Sequence, residues 1–425
     1  MQTTKDRKIT FSIIGLGGRA NVYLSALEKH FPGKFQIVAI ADPDRQKQDK
    51  FRRRCNIPTE LVFDSDTAFL MRNKLSDIAI VSTQDQLHFK EVKCLVEKGY
   101  DIILEKPIAS SLEETIALYQ VARLHPECRI AVCHVLRYTK FFQTIRTQIK
   151  SGRIGKIINI QHNENIGYYH FAHSYVRGPW RNTAKSSPLI VAKSCHDMDI
   201  LLYLLDGLHA RKISSFGSLS YFCHANFDES KMADSCLDCS IETSCPYSAK
   251  KIYSGDKIKS VLFDLSSVTR FEEDLRKSQY GKCVFNCDND AVDHQVSIIE
   301  FENGVTATFN LSAFTSKVSR SIKIMGEKGE IRAIEKPYLI EVHDFLNDSI
   351  ETLDLNIMQR GHGGGDENFI IEFMHQYGNG EDFSSSLINS IESHVMAFLA
   401  ERSRLDNGQV KEIEAIMKEI YMKQD

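Results

Sequence analysis

The sequence is short of tryptophan and proline, with one Trp and nine Pro in 425 residues. Prolines that sparse exclude a proline-rich linker or a polyproline scaffold. It also lacks an excess of either charge: 53 Lys and Arg against 56 Asp and Glu leave a formal net charge of -3. No basic stripe is left to follow a phosphate backbone, so nucleic acid is not an expected partner. No segment approaches the roughly 18–20 consecutive apolar residues of a membrane helix, so no membrane association is expected. The first eight residues are polar, and the apolar run from Ile9 to Leu16 is short and ends in glycines. That pattern reads as a buried strand entering a turn, not a secretion signal. Eleven cysteines, an odd number without an export signal, argue against a disulfide framework, and the expected compartment is the cytoplasm. What is present is ordinary globular material: 42% hydrophobic and 26% charged residues, enough for a sizeable core and more than one domain.

The first 135 residues alternate strand and helix. Apolar runs at Ile9–Ile14, Phe35–Ala41, Asp77–Ser82, Asp101–Glu105 and Arg129–Val135 read as strands. Amphipathic stretches at Arg19–Phe31, Asp44–Cys55, Gln86–Lys98 and Ser111–Leu124 read as helices, the last opened by a capping box of Ser111 and Glu114. Strands this apolar, separated by such helices, predict a doubly wound parallel sheet of Rossmann type over 1–135. From 136 to 425 the pattern changes. Helices are expected at Thr139–Ser151, Pro188–Leu205 and from Asp366 and Leu387, with Asp366 as an N-cap. Strands are expected at Lys156–Glu164, Val296–Phe301, Val305–Leu311, Ser319–Met325, Glu330–Ile334 and Leu339–Val342, and Glu302-Asn303-Gly304 reads as a hairpin turn. The second domain is therefore expected to be α+β with a large, mostly antiparallel sheet. A polar, aromatic loop is expected up to Ser187, and 218–290 reads as a cysteine-bearing insert.

Gly15-Leu16-Gly17-Gly18-Arg19-Ala20 fits G-x-G-x-x-A directly between the first strand and helix. Gly15 permits the tight turn, Gly17 lets backbone approach a pyrophosphate, Ala20 lets helix lie on strand, and the N–H groups from Gly18 and Arg19 face the phosphates. Asp42, ending the second strand, is placed to accept the ribose hydroxyls of NAD and to repel the 2′-phosphate of NADP. Arg45 keeps NADP open. Glu105-Lys106-Pro107 ends another parallel strand, on the ligand-binding edge of such sheets.

With that triplet the chain resembles the Gfo/Idh/MocA oxidoreductases, the glucose–fructose oxidoreductase and inositol dehydrogenase superfamily. The resemblance rests on the glycine motif, Val81-Ser82-Thr83 with His88, and Glu105-Lys106-Pro107. It continues through His134-Val135-Leu136-Arg137-Tyr138, Gly152-Arg153-Ile154-Gly155 and Trp180-Arg181. It is tight over 8–207 and looser over 290–400. It implies hydride transfer between nicotinamide and a hydroxyl of a sugar, sugar derivative or inositol, with Lys106 touching both. It also implies Thr83, His88, Glu105, Arg137, Trp180 and Arg181 on the cofactor side, and a homo-oligomer formed through the second sheet. The family's Asp-x-x-x-His is represented by Ala192 and His196. His196 is the implied base; its orienting carboxylate is missing, and Lys193 stands beside the gap.

Tyr168, Tyr169, His170, His173, Tyr175 and Trp180 crowd one segment whose aromatic faces suit a sugar and equally suit packing. His362, in a glycine-rich turn, either reaches the substrate or belongs to a flexible cap. Cys236, Cys239 and Cys245 admit a structural zinc site, while reduced buried thiols are the simpler reading because no second C-x-x-C is present. Two further functions stay open: an NAD-dependent glycosidase acting through transient oxidation, and a non-catalytic dinucleotide sensor.

Overall fold

A computed structural model describes residues 7–255, 258, 263, 265–357 and 363–422. The first sheet comprises β1 (Ile9–Ile14), β2 (Phe35–Ala41), β3 (Val62–Phe63), β4 (Ile78–Val81), β5 (Asp101–Leu104) and β6 (Ile130–Val132). All pairs are parallel, in the order β3-β2-β1-β4-β5-β6. Helices α1 (Gly18–His30), α2 (Arg45–Cys55), α3 (Asp66–Leu70), α4 (His88–Glu97) and α5 (Leu112–Leu124) connect them. Every residue of β4 is buried, because parallel strands are covered on both faces and so read as unbroken apolar runs. The Ser111 hydroxyl accepts the Glu114 N–H at 3.2 Å. The reciprocal arm of the capping box differs from expectation: the Glu114 carboxylate accepts the hydroxyl of Ser110.

The second sheet has nine strands: β7 (Ile157–Asn165), β8 (Ala210–Ser218), β9 (His294–Phe301), β10 (Thr306–Ser312), β11 (Ser319–Gly326), β12 (Gly329–Ile334), β13 (Leu339–Asp344), β14 (Ser349–Asp354) and β15 (Lys411–Glu412). Their order is β14-β13-β12-β11-β7-β10-β9-β8-β15, antiparallel except for the β7–β10 pair. Asn303 (φ 58°) and Gly304 (φ 75°) turn the chain between β9 and β10, as expected of Asn-Gly. The remaining helices are α6 (Lys140–Lys150), α7 (Tyr168–Phe171), α8 (Leu189–Leu205), α9 (Ala249–Ser254), α10 (Val268–Lys277), α11 (Gly365–Asn379), α12 (Leu387–Leu405) and α13 (Ile413–Met422). Helix α8 is buried almost all round and packs against α12 and β7, so it lies in the centre of the molecule.

Several expectations need correction. The aromatic segment before Ser187 is not a plain loop: α7 continues into a wide helical turn at Ala172–Arg177. It is held there by Phe171 and Tyr175, whose rings pack on each other and, through Phe171, on Phe222. Asp366 does not cap α11. Gly364 holds that position with φ 86°, and the Asp366 carboxylate, within the first turn, accepts an N–H of Arg19 at 2.7 Å. Strands β8 and β14 escaped the sequence reading. The first is rich in Ser and Gly, and the second is almost wholly exposed at the sheet edge, so neither shows apolar alternation. After α11 the chain returns to the first sheet, where Ser385 extends β6 by accepting the Val132 N–H at 2.8 Å. No helix among the described residues is long and apolar enough to cross a membrane.

Candidate active site

The strand order reverses direction at β1 and β4, and the loops leaving these two strands meet there. Gly15 has φ +87°, and a Cβ on it would lie 2.5 Å from the Ser82 carbonyl oxygen, so that position demands glycine. The Ser82 hydroxyl donates to the Gly15 carbonyl at 2.7 Å. Gly17 and Gly18 differ: a Cβ on either meets nothing within 4 Å. Helix α1 has no acidic residue in its first turn and no side-chain cap. Its free N–H groups, Arg19 and Ala20 included, thus front an open, anion-seeking space, and this fits a dinucleotide pyrophosphate.

Asp42 turns back beneath this loop. Its Oδ2 accepts the Leu16 N–H at 2.7 Å and its Oδ1 the Asp44 N–H at 2.9 Å. The carboxylate therefore anchors the glycine turn, and each oxygen keeps a lone pair for a further donor. Arg45 opens α2, exposed. Arg19 is held by Glu105 at 2.5 Å and Asp366 at 2.7 Å, and the Tyr23 hydroxyl also donates to Glu105. Burial alone would raise the Glu105 carboxyl, but Arg19 and Tyr23 bring it below its ordinary value. Thr83 donates to Glu91 at 2.5 Å, and His88 Nδ1 donates to the Pro107 carbonyl at 2.8 Å. His88 thus braces the turn carrying Lys106.

From that turn the half-buried Lys106 extends to α8, where Nζ donates to the Ala192 carbonyl at 2.7 Å. One helical turn along the same face is His196, 4% exposed. Its ring lies edge-on to His134, with centroids 5.6 Å apart, and His134 lies 5.4 Å from His394 on α12. Burial drives His134 well below its ordinary pKa, with Arg137 and Lys106 adding to the effect, and holds His394 at about 3. Both stay neutral at physiological pH. His394 has a defined tautomer: Nε2 accepts the Ile108 N–H and Nδ1 donates to the Ser390 carbonyl, both at 3.0 Å. Arg137 grips Asp199 through two bonds of 2.7 and 2.6 Å and donates to the Ser384 carbonyl.

The Ala192 position has no carboxylate, but its neighbour Lys193 has one: Nζ lies 3.2 Å from Glu164 on β7. Glu164 is fully buried and faces Arg320 directly across the β7–β11 ladder at 2.6 Å. Arg320 also binds Asp197 at 2.7 Å, and His162 Nε2 donates to Asp197 at 2.8 Å. Burial raises the Glu164 carboxyl despite Arg320 and Lys193. Asp197, against the same burial, is brought below its ordinary range by Arg320 and His162.

Glu164, Arg320 and His394 were absent from the candidates drawn from the sequence. One signal was available for Glu164: alternation along β7 puts Ile160, His162 and Glu164 on one face, two of them ionisable on an inward face. Other sequence candidates lie further out. Trp180 reaches Asp85 at 3.4 Å, Arg181 pairs with Asp288 of the insert at 2.6 Å, and Tyr168 packs on Tyr169 and Tyr247. His362 lies outside the described residues. Cys236, Cys239 and Cys245 lie together in the insert, without three metal-ligating side chains converging on one point among the described residues.

Residues 9–134 match the profile of an oxidoreductase family with an NAD-binding Rossmann fold, and residues 146–226 match that family's C-terminal alpha/beta domain. The chain belongs to the Gfo/Idh/MocA oxidoreductase family. YteT of Bacillus subtilis, an oxidoreductase by name, is 25% identical over 381 residues, covering 83% of this chain and 85% of YteT. The scyllo-inositol 2-dehydrogenase (NAD(+)) of the same organism is 24% identical over 215 residues, 50% of this chain and 58% of that enzyme. In fold, the Gfo/Idh/MocA chain resembles levoglucosan dehydrogenase in its complex with NADH. The TM-score is 0.70 at 15% identity, covering 96% of this chain and 99% of the other. Residues 9–134, which carry the glycine loop, the open helix terminus and Asp42, are accordingly an NAD-binding Rossmann domain of this family.

Proposed function

We propose that this protein is an NAD-dependent dehydrogenase acting on a CH–OH group of a sugar, sugar derivative or inositol, with Lys106 and His196 at the reacting carbon. The observation that carries this reading is the bond from Lys106 to the Ala192 carbonyl. It sets an ammonium from the ligand edge of the first sheet one helical turn from His196. His196 accepts the hydroxyl proton, and Lys106 donates to the same oxygen and steadies its developing negative charge. The nicotinamide, when bound, accepts the hydride. Neutral His134 lies against the base, with neutral His394 behind it, and neither repels its protonated form. In the place of the missing carboxylate, the Lys193–Glu164 pair orients the substrate. Asp42 selects NAD over NADP, because a 2′-phosphate there would meet a buried carboxylate. Residues 1–135 bind the dinucleotide and 136–425 complete the substrate cleft. Phe216, Val296 and Ile298, 55%, 40% and 56% exposed on neighbouring strands, form the surface for self-association.

The test is a panel of sugars, inositols and glycosides, followed by NADH absorbance and aglycone release together, on wild type and on Lys106→Ala and His196→Ala. Both variants are expected to bind NAD normally and to lose about 10²–10⁴-fold in turnover. Aglycone release without net NADH would replace the dehydrogenase by the glycosidase reading. Full turnover in both variants would remove both residues from the chemistry.

A further inference from the structure

We propose that the insert between β8 and β9 holds a structural zinc ion on Cys236, Cys239, Cys245 and Cys283, with Arg177 as its buried counter-charge. This stands apart from the dehydrogenase reading, and neither depends on the other.

The four cysteines and Arg177 line one cavity of about 20 Å³, room for a single atom-sized occupant. Three of the thiols come from the C-x-x-C and its near neighbour Cys245. The fourth is supplied by tertiary structure. Ser235 and Lys282 pair as an isolated bridge, the Cys236 N–H donates to the Gly281 carbonyl at 2.9 Å, and the Cys283 N–H donates to the Asp234 carbonyl at 2.7 Å. These bonds hold Cys283 beside the C-x-x-C, and this is the ligand that the sequence spacing lacked.

Arg177 is the observation that calls for an anion. Its side chain is 1% exposed. Nε donates to the Lys282 carbonyl at 2.7 Å, and Nη2 to the Tyr247 carbonyl at 2.9 Å and to Cys236 Sγ at 3.5 Å. Nη1 has no hydrogen-bond partner, and among the described residues no carboxylate lies within ion-pair distance. The phenol of Tyr253, which also faces the guanidinium, is neutral at physiological pH. A permanently charged guanidinium buried among neutral groups is strongly unfavourable. Zinc bound by four thiolates carries a net charge of about −2, the anion this pocket otherwise lacks. On binding, the four thiols release their protons to solvent and four S–Zn bonds form.

Cys236 Sγ lies 3.8 Å from the Lys282 carbonyl oxygen and Cys239 Sγ 3.7 Å from that of Lys231. The sulfurs do not converge on one point among the described residues, so binding requires them to draw together across the cavity. The ion would then staple the 236–245 stretch to the segment that carries Cys283, already bridged by Ser235 and Lys282. Its role is structural, holding the insert around the buried Arg177.

The experiment uses the full chain, expressed with zinc present, purified without chelator and analysed for metal. About one zinc per chain is expected, lost in Cys236→Ser and in Cys283→Ser but kept in the controls Cys55→Ser and Cys223→Ser. Cobalt(II) replacing zinc in the wild type is expected to show thiolate charge-transfer absorption of a tetrahedral site. These wild-type measurements decide the matter even where a variant misfolds. Less than about a tenth of an equivalent, both as purified and after reconstitution with zinc under reducing conditions, overturns the proposal. So does a cobalt adduct without thiolate absorption, or zinc retained by both Cys236→Ser and Cys283→Ser.

Discussion

Glu91 shows what burial does to one side chain. It sits in the first turn of α4 with no exposure; one carboxyl oxygen accepts from Thr83 and the other has no partner. Burial pushes its pKa up to about 8, against the Thr83 hydrogen bond and with a smaller contribution from Asp66. The folded value therefore lies above the unfolded one. Stability from this group is complete below the unfolded pKa of about 4.3 and is lost as pH rises through about 8. Glu91→Gln keeps the acceptor for Thr83 and has no proton to lose. Its unfolding free energy, measured by denaturant titration, is expected to match wild type closely at pH 5. At pH 9 it should exceed wild type by roughly 1–4 kcal/mol. A difference that stays flat between those pH values would mean that Glu91 ionises normally.

Two glycines of one loop do different work at the scale of the element. Gly15 is required by the fold, since its positive φ and the nearby Ser82 carbonyl leave no room for a side chain. Gly17 faces open space, so the fold does not require it, and on the proposed function the dinucleotide does. Gly15→Ala is expected to lower the Tm by several degrees, a loss of about 1–3 kcal/mol. Gly17→Ala should melt within about 2 °C of wild type yet bind NAD at least about tenfold more weakly, because the new Cβ occupies the pyrophosphate's place. Calorimetric titration with NAD beside thermal melts separates the two effects. Equal losses of stability and affinity in both variants would contradict this division.

For the whole molecule, one apolar core runs from β4 and β5 through α8 to β7 and β10. Helix α11 returns to pack on α1 through Phe369, Phe373 and their neighbours. The two sheets are therefore expected to unfold together. Trp180, the lone tryptophan, bonds Asp85 of the first half and reports where the halves meet, while far-UV circular dichroism reports both sheets. The two probes are expected to share one transition. NAD at about 100 times its Kd should move that transition as a whole, by about 2.7 kcal/mol. A fluorescence midpoint that shifts with NAD while part of the dichroism change stays in place would show the second sheet to be an independent unit.

The division between local and tertiary information follows from where each interaction lies along the chain. Strands β1, β2, β4 and β5 were legible because burial on both faces demands continuous apolar runs. The glycine turn, the Ser111 cap and the Asn303-Gly304 hairpin were legible because short-range backbone geometry dictates residue type. The place of Lys106 at a parallel strand's end was legible from the strand pattern, and His196 was singled out by the family resemblance, but the reach of Lys106 to the helix that carries His196 was not. The place of Asp42 just after the second strand was legible, but its grip on the Leu16 amide was not. Register and packing decided the rest. Glu164 meets Arg320 only because β7 and β11 pair in one register, and His394 meets His134 only because α12 packs at the end of β6. Cys283 joins Cys236 only because the insert folds back on itself. No pattern within a short window of sequence encodes such meetings, since each joins segments brought together by burying a common core.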